Sequence, residues 1–364
     1  MNIPFIDLKT QYTSISEKVE KRIKAVLEHG QYIMGPEVLE IETLLAHRVG
    51  ATNCITVSSG TDALLISLMA LGIGRGDEVI TTNYSFVSTV EVIVLCGATP
   101  VFVDIEPETC NIDATLIEDK ITERTKAIIP VSLYGQTADM DAINDIAARN
   151  GNLAVIEDGA QSFGATYKGK SSCNLSTIGC TSFFPSKPLG CYGDGGAIFT
   201  SDNNLAKICK EIRVHGQSKK YTHERVGLGG RMDTLQCAIL LAKIETFDQE
   251  LDNRQRIAER YNNALSRLGM DTITTKKDRT SVHAQYTLIL ENRDLVQSKL
   301  GDSNIPTTIH YPSSLDQQKP YKRYNDGSNS SMAQRLSKRA LSIPMSPYLS
   351  EKDQDYIIEV LSKC

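Results

Sequence analysis

Residues 55–71 read ITVSSGTDALLISLMAL and contain, in order, a β-branched run, a turn of small and hydroxyl-bearing residues, and a helical pattern. β-Branched residues such as those at 55–57 favour a strand. Apolar residues recur on one face of the helical part: Leu64, Leu65, Leu68 and Met69. This is the spacing of an amphipathic helix packed on a sheet. The stretch therefore predicts a strand, turn and helix, the repeating unit of a sheet covered by helices.

The same alternation of short apolar runs and helical patterns continues on the C-terminal side. Further strands are predicted at residues 79–81, 101–103, 127–131, 153–156, 178–184 and 197–199. Helices are predicted between them at residues 87–95, 139–149 and 204–213. This order is typical of an α/β fold with a mostly parallel sheet.

The pattern changes near residue 245, where a long charged helix is predicted over residues 246–263. A strand at 284–290 and helices at 293–300 and 353–361 follow, and the polar residues 324–331 are predicted to form a surface loop. We expect a large domain over residues 1–245 and a smaller one over residues 246–364.

The composition of the chain argues against several classes of protein. The chain has 364 residues, a formal charge of -5, 41% hydrophobic residues and nine cysteines. The acidic balance without a long basic block argues against a nucleic-acid-binding or membrane-surface protein. An odd number of scattered cysteines without a C-x-x-C pair indicates reduced thiols and a cytoplasmic protein. The apolar runs are shorter than the ~20 residues that a membrane span needs.

The turn at residues 58–62, Ser-Ser-Gly-Thr-Asp, lies between the first predicted strand and its helix. Free backbone N–H groups, hydroxyls and the positive end of a helix dipole together suit a phosphate. An ordinary N-cap is the alternative interpretation of this turn taken alone. The G-x-x-x-x-G-K-[ST] pattern is absent, so the turn is not a nucleoside-triphosphate P-loop.

Residues 153–161, Leu-Ala-Val-Ile-Glu-Asp-Gly-Ala-Gln, form a buried-strand pattern that ends in two carboxylates. Ligands of open α/β sheets bind at the carboxyl ends of the strands, so an acid there is well placed to contact one. Glu157 and Asp158 should point to opposite faces, which argues against a catalytic pair. Capping of the next helix is the alternative role for a single acid.

Lys187 lies within residues 181–190, Thr-Ser-Phe-Phe-Pro-Ser-Lys-Pro-Leu-Gly, between two predicted strands. Surroundings of this kind can desolvate an amine, lower its pKa and make it a nucleophile that forms a Schiff base. A solvated lysine in a turn is the alternative. His215 and His283 have no metal-ligand spacing, so they are expected to be ordinary structural histidines, and no metal is expected.

Pyridoxal 5'-phosphate accounts for all three features. It needs a phosphate cup at a helix start, a carboxylate beside its pyridine nitrogen and a Schiff-base lysine. Thr61, Asp158 and Lys187 each lie at the end of a predicted strand or in the turn beyond it. Phe86, after the strand at 79–81, could stack on the ring, although a core phenylalanine is as consistent with its position.

With these features in place, the chain resembles the DegT/DnrJ/EryC1/StrS family of sugar-nucleotide aminotransferases. The resemblance runs from Phe5-Ile-Asp-Leu to residues 344–349 and is most detailed at residues 29–36, 130–136, 172–176 and 181–199. It implies a fold-type I, aspartate-aminotransferase-like large domain with a mixed, mostly parallel seven-stranded sheet, and a small α+β C-terminal domain. It also implies a homodimer with shared active sites.

The resemblance assigns roles to single positions. Lys187 matches the Schiff-base lysine, Asp158 the partner of the pyridine nitrogen, and Gln161 a residue near the ring hydroxyl. The phosphate cup matches Gly60, Thr61 and Ser182, and the stacking position matches Phe86. Arg231 matches a residue that reaches into the partner subunit's site, where it contacts cofactor and substrate. The sugar-nucleotide pocket matches Gly30, Tyr32, Ser186, His310 and Tyr311. Many relatives carry Asn where this chain has Gly229, so a side-chain contact made there is absent.

The implied reaction is a ping-pong transamination with L-glutamate as the expected donor and pyridoxamine phosphate as the intermediate cofactor form. The finer resemblance is to bacterial enzymes of O-antigen and lipopolysaccharide synthesis that aminate C3 of a UDP 2-acetamido-3-keto sugar bearing a C6 carboxylate. Since that substrate is polyanionic, Arg231, His310 and helix N-termini are expected to supply positive charge.

Three other functions stay open at this point. Amination of a 4-keto dTDP or UDP sugar would use the same fold and cofactor. A dehydratase of this fold would carry His in place of Lys187. A non-enzymatic regulator would have no need of the lysine, the aspartate and the phosphate cup.

Overall fold

The structure, a computed structural model, describes residues 3–325, 327 and 331–364. The helices are α1 Leu8–His29, α2 Pro36–Val49, α3 Gly60–Ala70, α4 Ser88–Leu95, α5 Met140–Arg149, α6 Asn203–Ile212, α7 Thr234–Ile244, α8 Phe247–Arg267, α9 Arg293–Asp302, α10 Ser331–Arg339 and α11 Glu351–Leu361. The strands are β1 Asn53–Val57, β2 Glu78–Thr82, β3 Thr99–Val103, β4 Thr125–Ile129, β5 Ala154–Asp158, β6 Thr166–Tyr167, β7 Lys170–Ser171, β8 Ile178–Ser182, β9 Gly196–Thr200, β10 Gln217–Lys219, β11 Thr222–His223, β12 Asp271–Thr272, β13 Tyr286–Ile289 and β14 Ala340–Ile343.

Seven strands form the central sheet, in the order β1-β9-β8-β5-β4-β2-β3. Strand β9 runs antiparallel to both of its neighbours, and the other pairs in the sheet are parallel. Each of the seven corresponds to a strand predicted from the sequence. The predicted α/β fold class with a mixed, mostly parallel sheet is confirmed.

Helices cover both faces of this sheet. Cys54 packs in the layer that holds α2 and α7, whereas the next residue, Ile55, packs in the layer that holds α3 and α6. The same alternation occurs in β9 between Ile198 and Phe199. Burial on both faces explains why the strands are short continuous apolar runs rather than alternating ones.

A second core lies around the antiparallel sheet β12-β13-β14. Helices α8, α9 and α11 pack on it through residues such as Tyr261, Leu300 and Ile357. Ile3, from the start of the described chain, packs into the same core. The division into domains at residues 245 and 246 stays a prediction.

Four helices were not predicted: α1, α2, α7 and α10. Helix α1 is capped at its N-terminus by Asp7, whose side chain accepts a hydrogen bond from the Thr10 amide at 2.9 Å, and at its C-terminus by Gly30 at φ 70°.

The predicted surface loop at residues 324–331 falls partly outside the described residues. Within the described ranges, no helix has the length and apolar character needed to span a membrane.

Candidate active site

A cavity of about 490 Å³ opens where the parallel strands of the central sheet reach their carboxyl ends. Ten of the predicted site residues line it: Gly60, Thr61, Phe86, Asp158, Gln161, Ser182, Ser186, Lys187, His310 and Tyr311. They come from turns after β1, β2, β5 and β8 and from a distant C-terminal segment. The fold therefore gathers into one place residues that are up to 251 positions apart, from Tyr311 back to Gly60.

The turn before α3 supplies hydrogen-bond donors at one end of the cavity. The Ser59 hydroxyl caps α3 by accepting from the Asp62 amide at 3.0 Å. The amides of Gly60 and Thr61 lie in the first turn, where a helix offers no acceptor. A Cβ at Gly60 would stand 2.7 Å from the Cβ of Ser182, so glycine allows the two segments to approach. These amides and hydroxyls, at the positive end of the helix dipole, suit a phosphate.

Asp158, at the end of β5, is buried on the floor of the cavity. The Thr89 hydroxyl donates to its Oδ2 at 2.9 Å and the Ala160 amide to its Oδ1 at 3.2 Å. Burial raises the pKa of this carboxyl, while these two donors and the charge of Lys187 lower it. A buried carboxylate is stabilised by a cationic N–H partner. Glu157 points to the other face, as predicted, and does not line the cavity.

Lys187 is half-buried in the turn between β8 and β9, where its backbone amide donates to the Phe184 carbonyl at 2.9 Å. Burial lowers the pKa of its amine, and the negative charge of Asp158 partly offsets that effect. A lowered pKa increases the fraction of neutral amine, which is the nucleophilic form. Its place in the lining of the cavity argues against the solvated-turn alternative, and the Schiff-base role stays a prediction.

His310 and Tyr311 close the side opposite the sheet. The Tyr311 hydroxyl accepts from Gln161 Nε2 at 3.1 Å, and Gln161 Oε1 accepts from the Tyr134 amide at 2.8 Å. Burial and the charge of Lys187 lower the pKa of His310 to about 4. This lowered pKa argues against the expectation that His310 supplies positive charge.

Phe86 follows β2 and turns its ring into the cavity, with 54% of the residue exposed. Its ring centroid lies 6.3 Å from that of Tyr311. The exposure excludes the core alternative and leaves an aromatic face available to a planar ligand.

The residues present fit pyridoxal phosphate. A helix start suited to a phosphate, a buried carboxylate, a half-buried amine and an exposed aromatic face border one cavity. Each matches one part of that cofactor: the phosphate, the ring nitrogen, the aldehyde carbon and the ring face.

Three predicted residues, Gly30, Tyr32 and Arg231, do not line this cavity. They lie close to one another instead, because the Tyr32 carbonyl accepts from the Thr234 amide at 3.0 Å and Ile33 forms a bridge with Asp233. Tyr32 is 48% exposed. The roles of these three residues in a partner's site stay predictions.

Gly229, where many relatives carry Asn, lies against His215. A Cβ at this position would stand 3.2 Å from the His215 ring, so the ring fills space that a side chain would need. The departure is therefore a local packing feature of this chain.

Ser59, from the predicted turn at residues 58–62, also borders the cavity, and other lining residues were not predicted: Ser85, Ser88, Asp194 and Gln285. Thr89, the donor to Asp158, was also missed. Ser85, Ser88 and Thr89 could have been found, since they follow β2, as the predicted Phe86 does. Gln285 carried no such indication, because it comes from the approach to β13.

Cysteines and potential metal ligands do not form a further site. All nine cysteines are unpaired, and burial raises the pKa of Cys180 beneath the cavity, which keeps it a thiol. Within the described part of the chain, no three His, Cys, Asp or Glu side chains group as metal ligands would.

Comparison with known proteins identifies relatives of the whole chain. The pattern of the DegT/DnrJ/EryC1/StrS aminotransferase family matches residues 13–362. A Pseudomonas aeruginosa protein named UDP-2-acetamido-2-deoxy-3-oxo-D-glucuronate aminotransferase is 53% identical over 347 residues, covering 95% of this chain and 96% of that one.

Two solved structures have the same fold over the whole chain. A DegT DnrJ EryC1 StrS aminotransferase from Brucella abortus superposes with a TM-score of 0.95 at 40% identity, covering 100% and 99% of the two chains. NtdA from Bacillus subtilis, solved with bound cofactor PMP, superposes with a TM-score of 0.92 at 31% identity, covering 99% and 84%. The chain belongs to the DegT/DnrJ/EryC1/StrS aminotransferase family.

Proposed function

We propose that this protein transfers an amino group from an amino acid, L-glutamate, to C3 of UDP-2-acetamido-2-deoxy-3-oxo-D-glucuronate. The product is UDP-2-acetamido-3-amino-2,3-dideoxy-D-glucuronate, for O-antigen and lipopolysaccharide synthesis. The observation that carries the aminotransferase activity is that the half-buried Lys187 lines the same cavity as the buried carboxylate of Asp158. The choice of sugar is supported by 53% identity to the Pseudomonas aeruginosa enzyme named for that substrate.

The cofactor is pyridoxal 5'-phosphate, as predicted. When bound, it supplies a carbon that condenses with amines and a conjugated ring that accepts the electrons of a broken C–H bond. Gly60, Thr61 and Ser182 would hold its phosphate, and Asp158 would hold the proton on its ring nitrogen.

Lys187 performs the proton transfers. In its neutral form, Nζ can accept the proton from the α-carbon of the amino acid and later deliver one to C3 of the sugar. Burial of Lys187 favours this neutral form. The intact lysine also argues against the dehydratase alternative, in which His replaces it.

Positive charge for the polyanionic substrate must come largely from outside this cavity. Among the described residues, Lys187 is the one Lys or Arg that lines it, and burial lowers the pKa of His310 to about 4. Asp158 and Asp194 add negative charge. This deficit supports a homodimer in which Arg231 of each chain serves the other chain's site, together with Gly30 and Tyr32.

The location we infer is the cytoplasm, where nucleotide sugars and free thiols coexist. Nine unpaired cysteines support this compartment.

Side-by-side assays of keto sugars test the function. We expect turnover of the UDP 3-oxo uronate with L-glutamate to exceed turnover of 4-keto dTDP and UDP sugars by at least about tenfold, as one well-placed polar contact would give. Lys187→Ala should lose both turnover and the absorbance of the lysine-bound cofactor, whereas Lys207→Ala, a matched change in α6, should retain them. Equal turnover of a 4-keto sugar would contradict the substrate, and full activity of Lys187→Ala would contradict the mechanism.

A further inference from the structure

Gln285 is a polar side chain of the active-site cavity whose amide the protein leaves unused. Its Oε1 is buried and has no hydrogen-bond partner among the described residues, and Nε2 has none there either. A buried polar atom without a partner costs about 1–3 kcal/mol. Groups of this kind in native proteins call for a specific explanation, and a ligand that pairs with them is one.

The other amide in the cavity behaves differently. Gln161 uses both ends, accepting from the Tyr134 amide and donating to the Tyr311 hydroxyl. Its orientation is therefore fixed by the protein. Gln285 is the lining amide whose donors and acceptor remain available to a substrate.

Gln285 also borders a second cavity, of about 290 Å³, next to the first. Hydroxyl and amide side chains such as Gln136, Thr274 and Thr287 line this second space. Its described lining contains no acid, lysine or arginine, and burial lowers the pKa of its His283 to about 4. The wall that carries Gln285 thus has space on both sides, which allows the amide to turn, and its surroundings suit a neutral group.

The substrate of the proposed function carries one neutral group that an amide complements. Its 2-acetamido group is attached to C2, directly beside C3, the carbon that is aminated. When C3 is within reach of Lys187, this group must lie in the same cavity, which Gln285 also lines. A primary amide can donate to the acetamido carbonyl and accept from its N–H.

We propose that Gln285 binds the 2-acetamido group of the sugar and selects 2-acetamido sugars over 2-hydroxy sugars. This inference rests on the proposed function, because it assumes a substrate aminated at C3. Gln285 is then a specificity residue, distinct from Lys187 and Asp158, which handle the reacting atoms.

Two stable ligands test this assignment without turnover. UDP-N-acetylglucosamine and UDP-glucose differ at C2, where one carries acetamido and the other hydroxyl. Calorimetric titration into the holoenzyme, in its pyridoxamine phosphate form, should show about a tenfold preference for the acetamido ligand. Gln285→Met, which keeps the size of the side chain but removes its amide, should reduce this preference to within about twofold while binding UDP-glucose as before.

Two further variants sharpen the result. Gln285→Glu retains an acceptor but no donor, so we expect a preference of roughly threefold. Its added charge repels the diphosphate that both ligands share, and this contribution cancels in the ratio. Gln249→Met, the same change on the exposed surface of α8, should keep the full preference.

Three results would overturn the role of Gln285: a wild type without preference, a preference that survives in Gln285→Met, or equal weakening of both ligands in that variant. If Gln285→Met does not fold, Gln285→Glu decides, because an unreduced preference there has the same meaning. Turnover of the UDP 3-oxo uronate by the wild type tests the proposed function by itself. Loss of that turnover refutes the function, whereas normal turnover with an unchanged ligand preference in the variant refutes only the role of Gln285.

Discussion

Removing the hydroxyl of Thr89 should shift the pH dependence of the reaction. In Thr89→Val the shape of the side chain is kept, but Asp158 Oδ2 loses a donor that lies 2.9 Å away in a buried setting. Burial already raises the pKa of Asp158, and Thr89 is the largest of the influences that lower it. The variant therefore has a higher Asp158 pKa, and the carboxylate is lost at a higher pH as the solution is acidified.

The magnitude follows from the strength of the bond. A hydrogen bond to a charged group contributes about 1.5–3 kcal/mol. Since a tenfold change in proton affinity corresponds to about 1.4 kcal/mol, the acid limb of the rate profile should move toward neutral pH by about one pH unit or more. The rate constant of the amino-acid half-reaction, followed by stopped-flow absorbance of the cofactor across the stable pH range, measures this shift.

Thr81→Val is the matched control. Thr81 is equally buried, and its hydroxyl donates to the Ile129 carbonyl at 2.8 Å, away from the cavity. Thr81→Val should lose about 1 kcal/mol of unfolding free energy, and Thr89→Val about 1.5–3 kcal/mol where Asp158 is ionised. A Thr89→Val profile that coincides with that of the control would refute the idea that Thr89 keeps Asp158 ionised.

Three further predictions concern assembly, acid stability and cofactor binding. Mixing Lys187→Ala and Arg231→Ala chains under exchange conditions should restore activity to about a quarter of wild type, because half of randomly paired dimers carry one intact shared site; no recovery in verified mixed dimers would contradict shared sites. Burial lowers the pKa of His283 from 6.5 to about 4. As the pH falls, His283 is protonated in the unfolded chain before it is protonated in the folded one, so the free energy of unfolding decreases between pH 6.5 and 4. The total decrease should be roughly 3 kcal/mol. His283→Gln should flatten that decline in denaturant titrations, and an unchanged slope would count against it. Gly60→Ala places a Cβ 2.7 Å from that of Ser182, so the affinity for the cofactor, measured by equilibrium dialysis, should fall by about tenfold or more. The control Gly72→Ala adds its Cβ in open space at φ 71°, so it should lower the stability of the protein but not its affinity for the cofactor.

The strands of the central sheet could be predicted from the sequence because both of their faces are buried. The central strands are short apolar runs because helices cover both of their faces, and runs of this kind stand out in the sequence. Helix α7 escaped prediction because eight of its eleven residues are buried, so it shows little periodicity. Helix α1 escaped for the opposite reason, since its buried face includes the polar Gln11 between exposed polar residues.

The active site was predictable where chemistry follows a strand end. Asp158 and Lys187 stand directly after apolar strands, and the sheet brings such positions together. The lowered pKa of His310 depends on burial and on the nearby Lys187, which are tertiary effects. The side-chain amide of Gln285 is unpaired because the described part of the folded chain places no hydrogen-bond partner beside it. A local sequence pattern cannot predict this.

The neighbouring acids at the end of β5 show how one strand separates structure from chemistry. Glu157 accepts from the Ser132 and Ser172 hydroxyls and the Cys173 amide at 2.7–2.9 Å, so the protein supplies three donors to it on the rear face. Among the described residues, Asp158 receives two donors, and it lines the cavity on the other side. Counting donors therefore ranks two adjacent carboxylates: the one with three donors anchors the loop behind the sheet, and the one with two keeps capacity for a ligand.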